Sequence, residues 1–280
     1  MSVELRPLAA DDSDRVLAWR NADHVAAYMY SDHVIGADEH AAWLKAALIA
    51  CGVETTGLVA DASRPTTTKT RVIAAHQQVV RVDEESTGPI SEAISSDVLK
   101  AVRNDLGNAG AIVISDYAKG FLTPPLLDAV IGEARRAGKR VFADPKGADA
   151  ARYRGVFLLK PNRLELGLLT GLPTDTHSEV LAAGTRLAAS MPGTYILVTE
   201  GSEGMTLFSD SQPPEHLAPA PRQVFDVTGA GDTVLAVTAM AVTAGASWSQ
   251  AMQLAAEAAG IAIGRMGSVA VSLSDLQTNL

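Results

Sequence analysis

Val224-Phe225-Asp226-Val227-Thr228-Gly229-Ala230-Gly231-Asp232-Thr233 stands directly before a long Ala- and Val-rich apolar run. The stretch reads as a strand end, a glycine turn and a helix start, with one carboxylate at the helix mouth. Gly229 and Gly231 let the backbone turn tightly and approach a ligand with no Cβ in the way. The first-turn N–H groups of the following helix have no intrahelical partner and face the positive end of its dipole, a setting that suits a phosphate. Gly229, Ala230 and Gly231 are therefore candidate anion-hole residues. Asp232 beside them is the candidate catalytic base, because phosphoryl transfer to an alcohol needs a group that takes the hydroxyl proton. Taken alone, the same letters also describe an ordinary helix N-terminus with Asp in its first turn.

Upstream of this turn, short β-branched runs alternate with helical ones, the order that implies βαβ units and a parallel sheet. Ala111–Ser115 reads as a buried strand ending at Asp116. Pro124 opens a helix to about Ala137, stopped by Gly138. Lys139 to Ala143, Val156 to Leu159 and Tyr195 to Val198 are the next strands, ending at Asp144, Pro161-Asn162 and Thr199. Each polar motif thus falls at the carboxyl end of a strand, where open α/β sheets place their ligands. Residues 67 to 83 differ: Thr-rich and then alternating, they read as a β-hairpin or small lid sheet. Ser209 to Pro221 reads as a surface loop.

At 280 residues with 47% hydrophobic and 20% charged content, the chain has ample material for a sizeable core. The net charge of −9 disfavours nucleic acid or an anionic membrane as partner, so any small anionic ligand must be held by local donors. The single Cys51 excludes an intramolecular disulfide and fits a reducing cytosol; it is expected to be a small buried hydrophobe. The apolar run from Val234 to Ala246 is too short for a membrane span. A soluble, cytoplasmic protein is expected. The six histidines show no spacing such as His-x-x-x-His, so the sequence suggests no zinc site.

The segment Asp226 to Thr233 resembles the C-terminal signature of the PfkB/ribokinase family of sugar kinases. Ser115-Asp116-Tyr117-Ala118-Lys119-Gly120, Asp144-Pro145-Lys146-Gly147, Lys160-Pro161-Asn162-Arg163-Leu164-Glu165 and Leu197-Val198-Thr199-Glu200-Gly201-Ser202-Glu203-Gly204-Met205 follow in the family's order. With Thr68–Val72 and His76–Asp83 they are most similar to the branch that phosphorylates D-glycero-D-manno-heptose 7-phosphate, over residues 41 to 280. The resemblance implies a ribokinase-like three-layer α/β/α sandwich with a mostly parallel sheet and a small β lid. It implies transfer of the ATP γ-phosphate to a sugar hydroxyl, with ATP and Mg2+ as cofactors, a sugar phosphate as substrate, and a homodimer.

By the same resemblance Asn162, Arg163, Leu164 and Glu165 form an ATP- and magnesium-binding segment, Asn162 and Glu165 organising the metal indirectly. Read from the residues alone, Asn162 and Glu165 have the spacing of a capping box, and that alternative stays open. Thr199, Gly201 and Gly204 match the loop beside the nucleotide, although Glu200 stands where the branch often has a basic residue. Asp116 and Lys119, and Arg71 and Arg81 on the lid strands, are candidate substrate residues. Asp144 and Lys146 lie at the next strand end, where Lys146 can meet a phosphate or form a surface pair.

Residues 1 to 45 depart from the pattern. Leu5-Arg6-Pro7-Leu8, Trp19-Arg20-Asn21 and Glu39-His40-Ala41-Ala42-Trp43-Leu44 resemble the opening of a GNAT-type acetyltransferase, without that family's later CoA turn. The expectation is a GNAT-like fragment over residues 1–45 and a kinase domain over 46–280, truncated on its N-terminal side: the first sugar-gripping strand and a Gly-Gly-x-x-x-Asn element are not found. The alternative function is a catalytically impaired, nucleotide-binding remnant acting as a non-enzymatic protein.

Overall fold

The computed structural model describes residues 37–74, 77–219, 224–265 and 269–279. The chain divides into two compact units, Met1–Glu85 and Ser86–Leu280. In the first, helix α1 (Ala37–Ala50) runs unbroken through the expected boundary between residues 45 and 46. The rest of the acetyltransferase-like opening, residues 1–36, lies outside the described residues. Strands β1 (Thr68–Ala74) and β2 (Gln77–Glu84) form an antiparallel hairpin whose register shifts between Val72 and Ile73. Lys69 and Asp83 are directly opposed and pair at 3.0 Å, the cross-strand charge match that steadies such a ribbon. The register sets Arg71 opposite Arg81; their side chains lie outside the described residues. Cys51 corrects an expectation, being exposed because it sits in the turn that closes α1, its N–H bonded to Ala47 O at 3.1 Å.

The second unit opens with α2 (Glu92–Asp105), β3 (Ala111–Ser115), α3 (Pro124–Arg136) and β4 (Arg140–Asp144). It continues with β5 (Leu158–Leu159), α4 (Arg163–Thr170), α5 (His177–Ser190), β6 (Tyr195–Thr199), β7 (Met205–Phe208) and β8 (Glu215–Leu217). Helices α6 (Ala230–Thr243), α7 (Trp248–Ile263) and α8 (Leu273–Asn279) follow. The sheet order is β3-β4-β5-β6-β7-β8. β3, β4, β5 and β6 pair in parallel, and β7 pairs antiparallel with both β6 and β8.

Strand side chains alternate between faces, and the two faces feed two cores. Val141, Ala143, Leu159, Ile196 and Val198 pack with Leu127 and Ile131 of α3, Leu166 of α4 and Val180 and Leu187 of α5. Phe142, Leu158 and Leu197 pack with Val234 and Leu235 of α6 and Met252 and Ala255 of α7. Helices on both faces of a mainly parallel sheet make the three layers, and explain why these strands are apolar throughout rather than alternating. Among the described residues no helix is long and apolar enough to cross a membrane.

Local signals set most boundaries. Thr123 caps α3 and Gly138 (φ 66°) follows its end. Three details differ from the sequence reading. β5 is shorter than expected: Val156 still belongs to a turn, its N–H bonding Tyr153 O at 3.2 Å, while Phe157 already bonds both neighbours, its N–H to Val141 O (2.8 Å) and its carbonyl to Tyr195 N–H (3.0 Å). The loop from Ser209 contains β8, hidden in sequence by its Pro and Ser flanks. Among the described residues 224–228 no strand precedes the glycine turn: the N–H groups of Phe225 and Asp226 instead donate to Ile263 O at the end of α7 (2.8 and 3.1 Å).

Candidate active site

A cleft of about 270 Å³ opens at the carboxyl ends of β3, β4, β5 and β6. Asp232 stands on its wall, exposed, in the first turn of α6. Ser115 Oγ donates to its Oδ1 at 3.1 Å and the Tyr117 hydroxyl to its Oδ2 at 3.2 Å. Both donors come from the end of β3, so the sheet aims the carboxylate. Burial pushes the Tyr117 hydroxyl pKa up, and the nearby Asp232 charge adds to the effect, keeping Tyr117 a donor.

Gly229 takes φ 81°, the left-handed conformation that lets the chain turn into α6, and no side chain caps that helix. Gly229 and Gly231 line the cleft. Ala230 does not, and its N–H turns back to Val227 O at 3.3 Å. Of the three candidate anion-hole residues, the structure thus places the two glycines on the cleft wall and Ala230 off it. Asp226 fastens the turn from outside, accepting from Thr228 N–H (2.9 Å) and Thr228 Oγ1 (2.7 Å).

The floor carries a buried lysine to which the sequence alone assigned no role. Lys160, 2% exposed, pairs with Asp144 Oδ2 at 3.1 Å. Burial raises the Asp144 pKa, with Lys160 and Lys146 pulling the other way. Lys146 bonds Glu165; burial works against its charge, but Glu165 and Asp144 outweigh that and raise its pKa. The available signal for Lys160 was a charged residue extending the apolar pair Leu158-Leu159 at a strand's carboxyl end.

Asn162 lines the cleft and also caps α4: its side chain accepts from Glu165 N–H, and Glu165 accepts from Asn162 N–H, both at 2.9 Å. The capping box exists, and it holds the Asn162 amide at the cleft. Glu165 lies behind, engaged by Lys146 and Asn162. Asp144 Oδ1, by contrast, is buried with no hydrogen-bond partner. Asp144 and the Asn162 amide both line the cleft, with Lys146 Nζ 3.7 Å from Asp144 Oδ1, and together they are an oxygen set that fits a partly hydrated magnesium ion.

Arg163 and Leu164 sit elsewhere. Arg163 reaches Glu203 and the Asp175 carbonyl (3.1 Å), and Leu164 is 73% exposed. Thr199 lines the cleft, its N–H bonded to Pro161 O at 3.0 Å. Gly201 (φ 61°) and Gly204 (φ 95°) bracket the short turn that follows. Glu200 does not face the cleft as a stand-in for a basic residue. Its buried carboxylate takes the Thr206 hydroxyl and lies 2.8 Å from His177 Nδ1.

Asp116 lines the cleft but is saturated: it accepts from Tyr153 OH (2.6 Å) and Ala118 N–H (2.7 Å), with Arg152 at 3.6 Å. It braces the turn that carries Tyr117, in which Ala118 takes the rare φ of 53°. Lys119 is half-buried and not part of the cleft wall.

The sequence pattern of the pfkB family carbohydrate kinases matches residues 31–275. Relatives named bifunctional protein HldE share 42% identity over 243 residues in Geobacter metallireducens (87% of this chain, 50% of the relative) and 43% over 218 residues in Paramagnetospirillum magneticum (78% and 44%). The chain spans about half the length of these relatives. Ribokinase of Arabidopsis thaliana, solved with ribose and ATP, superposes with a TM-score of 0.66 at 25% identity, covering 81% of this chain and 73% of that one. Escherichia coli phosphofructokinase-2 gives 0.72 at 21%, covering 87% and 78%. A carboxylate held over a glycine turn at the strand ends, in a three-layer sheet of this order, accords with these matches: the chain belongs to the pfkB family of carbohydrate kinases.

Proposed function

We propose that the chain transfers the ATP γ-phosphate to a hydroxyl of a sugar phosphate, D-glycero-D-manno-heptose 7-phosphate, at its anomeric position. The observation that carries the proposal is Asp232, solvent-accessible, held by two hydroxyl donors, beside an uncapped glycine turn. Asp232 takes the proton of the attacking hydroxyl. The amides at Gly229 and Gly231 meet charge growing on the transferred group, and one such donor is worth about 2.7–4 kcal/mol. Asp144 and Asn162, with Glu165 behind them, would hold magnesium, which when bound neutralises charge on the nucleotide phosphates. The branch resemblance and the HldE relatives support the heptose as acceptor.

Thr199, Gly201 and Gly204 border the nucleotide in this reading. Arg163 and Leu164 act only by shaping α4. The protein works in the cytoplasm as a homodimer, which equilibrium sedimentation of the full chain checks. The kinase assay is ADP release with the heptose 7-phosphate against the unphosphorylated heptose. A clear preference for the phosphorylated sugar supports the acceptor; ATP binding with no turnover on either marks the protein as a nucleotide-binding remnant.

A further inference from the structure

We infer that His177, Glu200 and His216 form a binding site for a divalent transition ion of the zinc class, separate from the cleft. The three residues come from different elements: the first residue of α5, the position after β6, and the middle of β8. Their ligand atoms all lie within 4.8 Å of one another. Glu200 Oε2 is 2.8 Å from His177 Nδ1, and Glu200 Oε1 is 3.7 Å from His216 Nδ1. Nitrogen and oxygen donors about 2.0–2.2 Å from a tetrahedral zinc stand roughly 3.3 Å apart, so the two measured edges straddle that separation. The remaining adjustment falls on imidazoles that are 37% and 34% exposed and pack edge to face on one another, ring centroids 4.5 Å apart.

The surroundings favour a metal. The Glu200 carboxylate is fully buried, and the Thr206 hydroxyl gives its one proton to Glu200 Oε1. The same hydroxyl oxygen lies 2.9 Å from His216 Nδ1, a contact that an ion bound to that nitrogen would replace. Thr206 thus orients the buried carboxylate, the outer support that metal sites use to fix their ligands. Arg163 lies 3.4 Å from Glu200 but bonds Glu203 more closely, so it has a second anion to hold when an ion enters. The half-exposed rings leave an entry path, and three protein ligands leave room for one water. Imidazole donors select zinc-class ions over magnesium. The histidines are distant in sequence, on α5 and β8, so no motif announces the site. An ion here would tie α5 and β8 to Glu200, next to the cleft residue Thr199.

The test is Co2+ titration of the chelator-stripped full chain, followed by visible absorption and calorimetry, with Zn2+ and Mg2+ as competitors. The expected result is one Co2+ per chain, displaced by Zn2+ and not by Mg2+. Affinity should fall at least about tenfold in His177→Ala and in His216→Ala, the lower bound for disturbing metal-site residues. His177→Gln and His216→Gln replace any alanine variant whose circular dichroism shows unfolding. Absence of a stoichiometric ion, displacement by Mg2+, or a loss below tenfold in either position overturns the assignment. The readout is binding alone, so it stands or falls apart from sugar phosphorylation.

Discussion

Lys160 Nζ lies 3.1 Å from Asp144 Oδ2 in the floor of the cleft, and a Cβ placed on Gly231 would come within 3.4 Å of the same nitrogen. The glycine turn therefore rests on a buried ion pair. Removing one partner strands a charge, at a cost of about 3–5 kcal/mol. Lys160→Met should lower stability in urea unfolding by that order, and Lys160→Met with Asp144→Leu should recover much of the loss. A single-variant loss under about 1 kcal/mol would show that Lys146 already neutralises Asp144.

Tyr117 is a positioning residue. Its hydroxyl and that of Ser115 hold the two oxygens of Asp232. A hydrogen bond of this kind is worth about 0.5–1.5 kcal/mol, so Tyr117→Phe should lower kcat by up to about tenfold. In an Asp232→Asn background the same change should have almost no further effect, since both act through one carboxylate. Additive losses in the double variant would assign Tyr117 a separate role.

Gly204 has φ 95° and ψ −134°, and a Cβ there would stand 2.1 Å from the Leu217 carbonyl oxygen. Such backbone is essentially restricted to glycine and costs about 1–3 kcal/mol otherwise, before any clash. Gly204→Ala should lower the thermal midpoint and raise the KM for ATP more than it lowers kcat. An unchanged midpoint would contradict the structural part of this account.

Burial raises the pKa of the Glu200 carboxyl, but hydrogen bonds from His177 and Thr206 outweigh it and hold it below the ordinary glutamate value of 4.5. A carboxylate held low in the folded chain contributes stability above that value and loses it as pH falls through the folded value. Stability measured across the acid range should therefore fall less steeply below pH 4.5 in Glu200→Gln than in the parent chain. Parallel acid limbs would place the effect elsewhere.

The layered fold was legible because β-branched runs and helix punctuation such as Thr123-Pro124 and Gly138 act locally. Asn162 and Thr199 were legible as cleft residues because strand ends converge in such sheets, and Asp232 because a glycine turn opening a helix reads locally. Lys160 was not, since burial of a lysine depends on Asp144, a partner supplied by another strand. The Glu200 cluster was hidden for the same reason: His177 and His216 meet only through the packing of α5 against the β6–β8 edge. β8 escaped notice because its three residues pair solely by edge addition to β7.

The central claim is that the Asp232 carboxylate takes the proton of the attacking hydroxyl. Single-turnover phosphorylation of D-glycero-D-manno-heptose 7-phosphate by Asp232→Asn measures it directly, with ATP binding followed in parallel by calorimetry. Loss of the base should slow the chemical step by about 10²–10⁴-fold while ATP affinity stays near that of the parent chain. A variant that phosphorylates the sugar at the parental rate would contradict the account.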